Sequence, residues 1–125
     1  MTPQEKAAEE AAKEELRLKA IEEIRLMLEK KHECKVTALS FPVAENDKAV
    51  LYVKEPDRYT KMKAMDVSEN SYTSAAALVL SACAIVEESD ARFFDQNPKN
   101  DALYLGALME VNGLVQYIVA DVKKK

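Results

Sequence analysis

The chain contains one histidine, two glycines and no tryptophan in 125 residues, and each scarcity removes a class of chemistry. Gly106 and Gly113 both lie inside an apolar stretch rather than in a strand-to-helix turn, so no phosphate-cradling loop can be written. Cys34 and Cys83 are far apart and belong to no paired-cysteine motif, which argues against structural zinc and dithiol redox chemistry. Free thiols in a reducing cytosol are the expectation. His32 follows Lys30 and Lys31, where a positive charge suits the end of a helix, and no orienting acid or nucleophile accompanies it. Pairing it with Cys34 would require an electropositive pocket that the sequence does not supply. Glu87, Glu88, Asp90, Asp95 and Asp101 lack the turn glycine and ligand spacing of a calcium loop. Catalytic, cofactor and metal residues are therefore expected to be absent.

An excess of positive charge is missing too. With 18 basic and 22 acidic side chains the net charge is −4, which disfavours a sequence-independent grip on nucleic acid. Lys54, Arg58, Lys61 and Lys63, with Lys123–Lys125 and a stacking Tyr59, would form a nucleic-acid surface only if they converged. The first residues, Met1 to Lys13, are charged, and no run approaches the length of a bilayer span, so neither an export signal nor a membrane segment is expected. The expected location is the cytoplasm.

What is present is helix-forming composition with a β-rich interruption. Thr2 as N-cap and Pro3 at the first helical position open a long helix over 1–33. Ala8, Ala12, Leu16, Ala20, Ile24 and Leu28 recur every fourth residue with Ile21 and Met27 alongside, while Glu9–Lys13 and Glu15–Lys19 are ordered for ion pairs. The stripe is only alanine before Leu16, so residues 2–15 should protrude and Leu16–Leu28 should dock. Residues 34–125 then form one compact unit.

Periodicity changes at Cys34. KVTALSFPV and AVLYVKEP read as the strands 34–43 and 49–55 of a β-hairpin (34–55 overall) with its turn at Ala44–Lys48. Pro42 requires an edge or a bulge. Pro56 and Asp57 open a short helix at about 56–66 with Tyr59, Met62 and Met65 as its apolar face, followed by a polar break at Val67–Tyr72. The run from Ser74 to Val86 is apolar on every side, which predicts a helix over about 72–88 surrounded by protein, with Cys83 buried. Glu87–Asn100 reads as a loop ordered by inward-packing Phe93 and Phe94. Asn100 caps a final helix, 101–122, whose glycines suggest a close backbone approach. The predicted class is α+β, mainly helical: a long N-terminal helix, a β-hairpin, then three helices.

Residues 34–125 resemble the small tail assembly chaperones of tailed bacteriophages, in the version found in gut-bacterial prophages. The resemblance rests on a Val-rich hairpin entering Tyr52-Val53-Lys54-Glu55-Pro56-Asp57-Arg58, an Ala-rich helix holding Ala82-Cys83, the acidic turn Glu87-Glu88-Ser89-Asp90, and Asp101-Ala102-Leu103-Tyr104-Leu105 entering a last helix that ends in lysines. Ala84-Ile85-Val86 stands where the family has aromatic and glycine residues, and the opening helix has no counterpart. The resemblance implies a non-catalytic protein, without cofactors, that binds the aggregation-prone tape measure protein and keeps it soluble in the host cytoplasm. A virion or scaffold component that stays in the particle is the alternative, and a nucleic-acid-binding regulator a more distant one. Tyr59, Met62, Met65 and Tyr72 are the candidate partner-binding residues, and the hairpin edge is a second candidate surface, able to add a strand. The first helix could also pair with a second copy.

Overall fold

A computed structural model describes residues 2–124 of the chain, the side chains of 123 and 124 excepted. The basic residues Lys123–Lys125 of the sequence reading thus lie outside the described side chains. The fold is α+β and mainly helical, in the expected order: α1 Pro3–His32, β1 Val36–Ala44, β2 Asp47–Lys54, α2 Arg58–Ser68, α3 Tyr72–Cys83 and α4 Asp101–Lys124, with single 3-10 turns at Ala91–Phe93 and Pro98–Asn100.

Helix α1 begins with a capping box. The Thr2 hydroxyl accepts from the Glu5 N–H (3.1 Å) and the Glu5 carboxylate accepts from the Thr2 N–H (3.4 Å). It ends at Glu33, which takes the left-handed conformation (φ 55°) that terminates the helical ladder. Residues 2–13 are exposed on all sides. Docking begins later than the stripe suggested, because Leu16 is 68 % exposed, Ala20 and Met27 also face solvent, and the contact is made by Ile21, Ile24 and Leu28. Of the expected ion pairs Glu9–Lys13 closes at 3.6 Å, whereas Glu15–Lys19 does not form; Glu14 meets Lys48 of the hairpin instead.

A two-stranded sheet cannot stand alone in water, and here both of its faces are covered. Strand alternation sends Leu39, Phe41, Ala49, Leu51 and Val53 toward α2, α3 and α4, and sends Val36, Ala38, Val50 and Tyr52 toward α1. The hairpin is thus the middle layer between α1 and a three-helix layer. Its turn is shorter than expected: Glu45 and Asn46 alone connect the strands, with Asn46 supplying the positive φ (62°). The irregularity demanded by proline is a bulge between Pro42 and Ala44.

Helix α3 enters the core through Ala75, Ala76, Val79, Leu80 and Cys83, yet Ser81 and Ala82 are exposed, so protein does not surround it. It ends at Cys83 rather than near residue 88. Ala84 is extended and bridges Val53, the Ile85 N–H donates to the Tyr52 carbonyl (2.8 Å), and the Asp90 N–H donates to the Val50 carbonyl (2.9 Å). The backbone needs of the outer edge of β2 override local helix propensity here.

Phe93 is buried and meets Phe41 edge-to-face at 5.6 Å, with Phe94 packed beside it. Asn100 does not cap α4. Asn97 caps the 3-10 turn that leads into α4, and the Asn100 amide donates to Asp95. The glycines of α4 mark no close approach: a Cβ on Gly106 would rest at ordinary distance from Phe41 (3.7 Å), and one on Gly113 would meet nothing within 4 Å. One further expectation is corrected: 98–122 is a continuous helix long and apolar enough, by length and composition, to cross a membrane.

Candidate partner-binding surface

Helix α2 starts at Asp57, whose carboxylate accepts from the Thr60 N–H at 2.8 Å, and that bond holds the carboxyl below its usual range. The helix docks through Ala64, with Met65 and Val67 packed at the rim of the core. The apolar face anticipated for it is therefore split: Met65 turns inward, while Tyr59 and Met62 point to solvent at 66 % and 60 % exposure. The helix thus buries its smallest apolar side chain and displays two of its largest. The Lys63 ammonium sits 5.7 Å from the centre of the Tyr59 ring and fixes one side of that display. Tyr72 opens α3 beyond the turn at residues 69–71, exposed, with Ser71 capping the helix by accepting from the Ser74 N–H. Tyr59 and Met62 share one face, and Tyr72 stands past the far end of α2, on the order of 15 Å along the axis from Tyr59.

The hairpin edge divides similarly. Residues 84–90 cover the outer side of β2, where the Tyr52 N–H also donates to the Ser89 hydroxyl (2.9 Å). On β1, Val36 sends its N–H to Glu29 (2.9 Å) and its carbonyl toward the Arg25 guanidinium, so alternation turns Ala38 and Ser40 outward as well. Among the described residues nothing pairs with the outward backbone groups of those two positions. Pro42, next in the outward series, has no N–H to offer.

Two grooves were not visible in the sequence. One, of about 520 Å³, opens between the end of α3, the loop after it and the start of α4, with Leu80, Phe93, Phe94 and Tyr104 as its apolar floor and Asp95, Asn97 and Asp101 on its rim. The Phe93-Phe94 pair was its only sequence signal. The other, about 320 Å³, lies between the open end of the hairpin and the second half of α4, where Lys35, Lys54 and Lys61 rim a floor of Val53, Leu114 and Ile118. Of the basic residues singled out in the sequence it gathers only Lys54 and Lys61; Arg58 and Lys63 do not line it, and Glu55 and Asp121 do.

Arg92 sets the electrostatics of the loop. It binds Asp90 and Asp47 and pulls both carboxyls below their usual range, while its own pKa rises. Burial pushes the Cys83 thiol up to about 11, leaving it un-ionised at neutral pH, and Cys34 is half-buried. The His32 Nε2 is buried without a hydrogen-bond partner among the described residues. Among those residues, no group of three His, Cys, Asp or Glu side chains could hold a metal ion. No protein-family model, curated protein or solved structure matches the chain.

Proposed function

We propose that this protein is a non-catalytic binding protein of the phage tail assembly chaperone type, which holds an apolar helical segment of the tape measure protein and keeps it soluble during assembly. The observation that carries the reading is the divided apolar face of α2, in which Ala64, Met65 and Val67 pack on the core while Tyr59 and Met62 are displayed to solvent. A helix that only stabilised the fold would have no need to leave Tyr59 and Met62 outside the face that Met65 and Val67 already use, since burial of each would contribute about 1.5–3 kcal/mol. Methionine beside an aromatic ring suits a partner of variable sequence, because the thioether chain adapts and the ring is rigid. The unpaired outward groups at Ala38 and Ser40 offer a second, main-chain grip of short reach.

Co-expression with the tape measure protein tests the proposal. Soluble tape measure protein should co-purify with the full chain and should be lost with Tyr59→Ala/Met62→Asp, a variant whose thermal midpoint stays unchanged because both side chains are exposed. No gain in solubility and no co-purification with the unaltered chain would refute it.

A further inference from the structure

We propose that the outward face of α4 is the seam of a homodimer in which two copies pack their α4 helices antiparallel, Met109 of one over Gly113 of the other. The inference is independent of the client-binding role of α2.

The segment 98–122 is predominantly apolar, yet only 28 % of its most apolar stretch is buried in the monomer. One side of α4 docks through Ala107, Leu108, Val111 and Val115. At 3.6 residues per turn a narrow stripe of the exposed side carries Ala102, Leu105, Met109, Gly113, Gln116 and Ala120 without a charge, with the exposed Glu110 beside it. Met109 is 75 % exposed, and Tyr117 at the border of this face is 71 % exposed. A solvent-facing helical surface in a chain with 32 % charged residues is ordinarily charged. Along this stripe five turns are not.

Three observations select a second copy as the occupant. The chain carries a net charge of −4, so two copies approach with least repulsion through the surface that has no charge. The face is also self-complementary about the point midway between Met109 and Gly113. An antiparallel two-fold there sets the most exposed large apolar side chain, Met109, against the residue with none, and sets Ala102 against Ala120. Finally, Gly113 costs about 1 kcal/mol relative to alanine in a helix interior. Within the monomer nothing lies within 4 Å of where its Cβ would be, so no internal packing explains it. A methionine from a second copy would. A lipid surface fits less well, because interfacial helices flank their apolar face with lysine and arginine along its length, whereas the charges from Asp101 to Val122 are Asp101, Glu110 and Asp121 and the lysines that follow are confined to positions 123–125. A standard specific interface buries about 800 Å² per partner and a single helical stripe offers less, so the dimer should be weak and concentration-dependent.

Sedimentation of the full chain from about 1 μM to about 1 mM should show a reversible monomer–dimer equilibrium. Met109→Glu should weaken it about tenfold or more without moving the thermal midpoint measured in dilute solution, and Met62→Glu should leave it unchanged. In a Cys34→Ser background, oxidation of a mixture of Met109→Cys and Gly113→Cys chains should give the mixed disulfide faster than either chain alone. A chain that stays monomeric throughout, a dimer indifferent to Met109→Glu, or preferential linkage of Met109→Cys to itself would each overturn the proposal. So would binding of the monomer to phosphatidylcholine or phosphatidylglycerol vesicles that Met109→Glu abolishes, since the face would then belong to lipid.

Discussion

The Arg92 guanidinium clasps the Asp47 carboxylate in a two-pronged bond, at 2.9 and 3.0 Å, joining the loop after α3 to the first residue of β2 across 45 positions of sequence. The same guanidinium holds Asp90, two residues before it. The segment that closes the outer edge of β2 is therefore tied at its far end to the strand it covers.

That tie should be acid-sensitive. Asp47 and Asp90 both titrate below their usual 3.8 in the folded chain, so the stability they lend is complete above the unfolded value and is lost as pH falls through the lower, folded values. Denaturant unfolding from about pH 7 down to about pH 2 should show a loss beginning near pH 4. Arg92→Ala should lower stability at neutral pH and flatten that acid limb. Amide exchange at Phe93 and Phe94 should quicken in the variant, because the loop loses its anchor.

The two thiols should behave oppositely. At about pH 8 an alkylating reagent should label Cys34 in the native chain and reach Cys83 only on unfolding, because Cys83 is buried and its thiol is raised to about 11. Linkage runs the other way from the aspartates: the contribution of Cys83 is complete below pH 9.0 and fades as pH rises toward about 11. Cys83→Asp should destabilise by about 3 kcal/mol or more, measured in denaturant, since its surroundings hold no partner for a charge.

Helix α1 should answer to substitution along its length. Leu28→Ala, at a side chain only 1 % exposed, should cost about 2–5 kcal/mol, whereas Leu16→Ala should stay within about 0.5 kcal/mol of the parent. Hydrogen exchange should be fast before Glu14, the first residue tied to the hairpin, and slow from Ile21 onward. Uniform protection from Ala7 would place a second helix against it.

On α2, Met62→Asp should leave the thermal midpoint in place and Met65→Asp should lower it, by on the order of 2 kcal/mol in stability, because Met65 packs against the core and Met62 does not. Equal effects would show that the two methionines share one environment.

Much of the architecture was legible because local chemistry and tertiary need agree. Thr2, Pro3 and Glu5 announce a helix start that no distant contact alters, and Pro42 calls for an irregularity wherever its strand pairs. The failures share a cause, which is that a side chain's neighbours are set by a distant element. Ala84-Ile85-Val86 continues the apolar run of α3, yet it leaves the helix because the outward backbone groups of Tyr52 and Val50 are satisfied by residues 84–90, through Ile85, Ser89 and Asp90. Leu16 and Ile24 belong to the same every-fourth series, and only the position of the hairpin decides that Ile24 docks and Leu16 does not. Of the four candidate residues, Tyr59, Met62 and Tyr72 are exposed and Met65 packs inward, since a three-residue spacing cannot say how far a helix is rotated on its support. The groove beneath Phe93 and Phe94 comes from a loop fold that no period encodes.

The covered outer side of β2 has a consequence for growth. A sheet extends without limit only if every added unit brings one edge to bind and another to be bound. This chain has spent one of its two on residues 84–90, and Pro42 shortens what remains of the other. Its sheet is monovalent. It can accept one strand, from a client or from a twin, and the product has nothing left to pass on, so a protein with an open edge is still barred from assembling into a fibre by that edge.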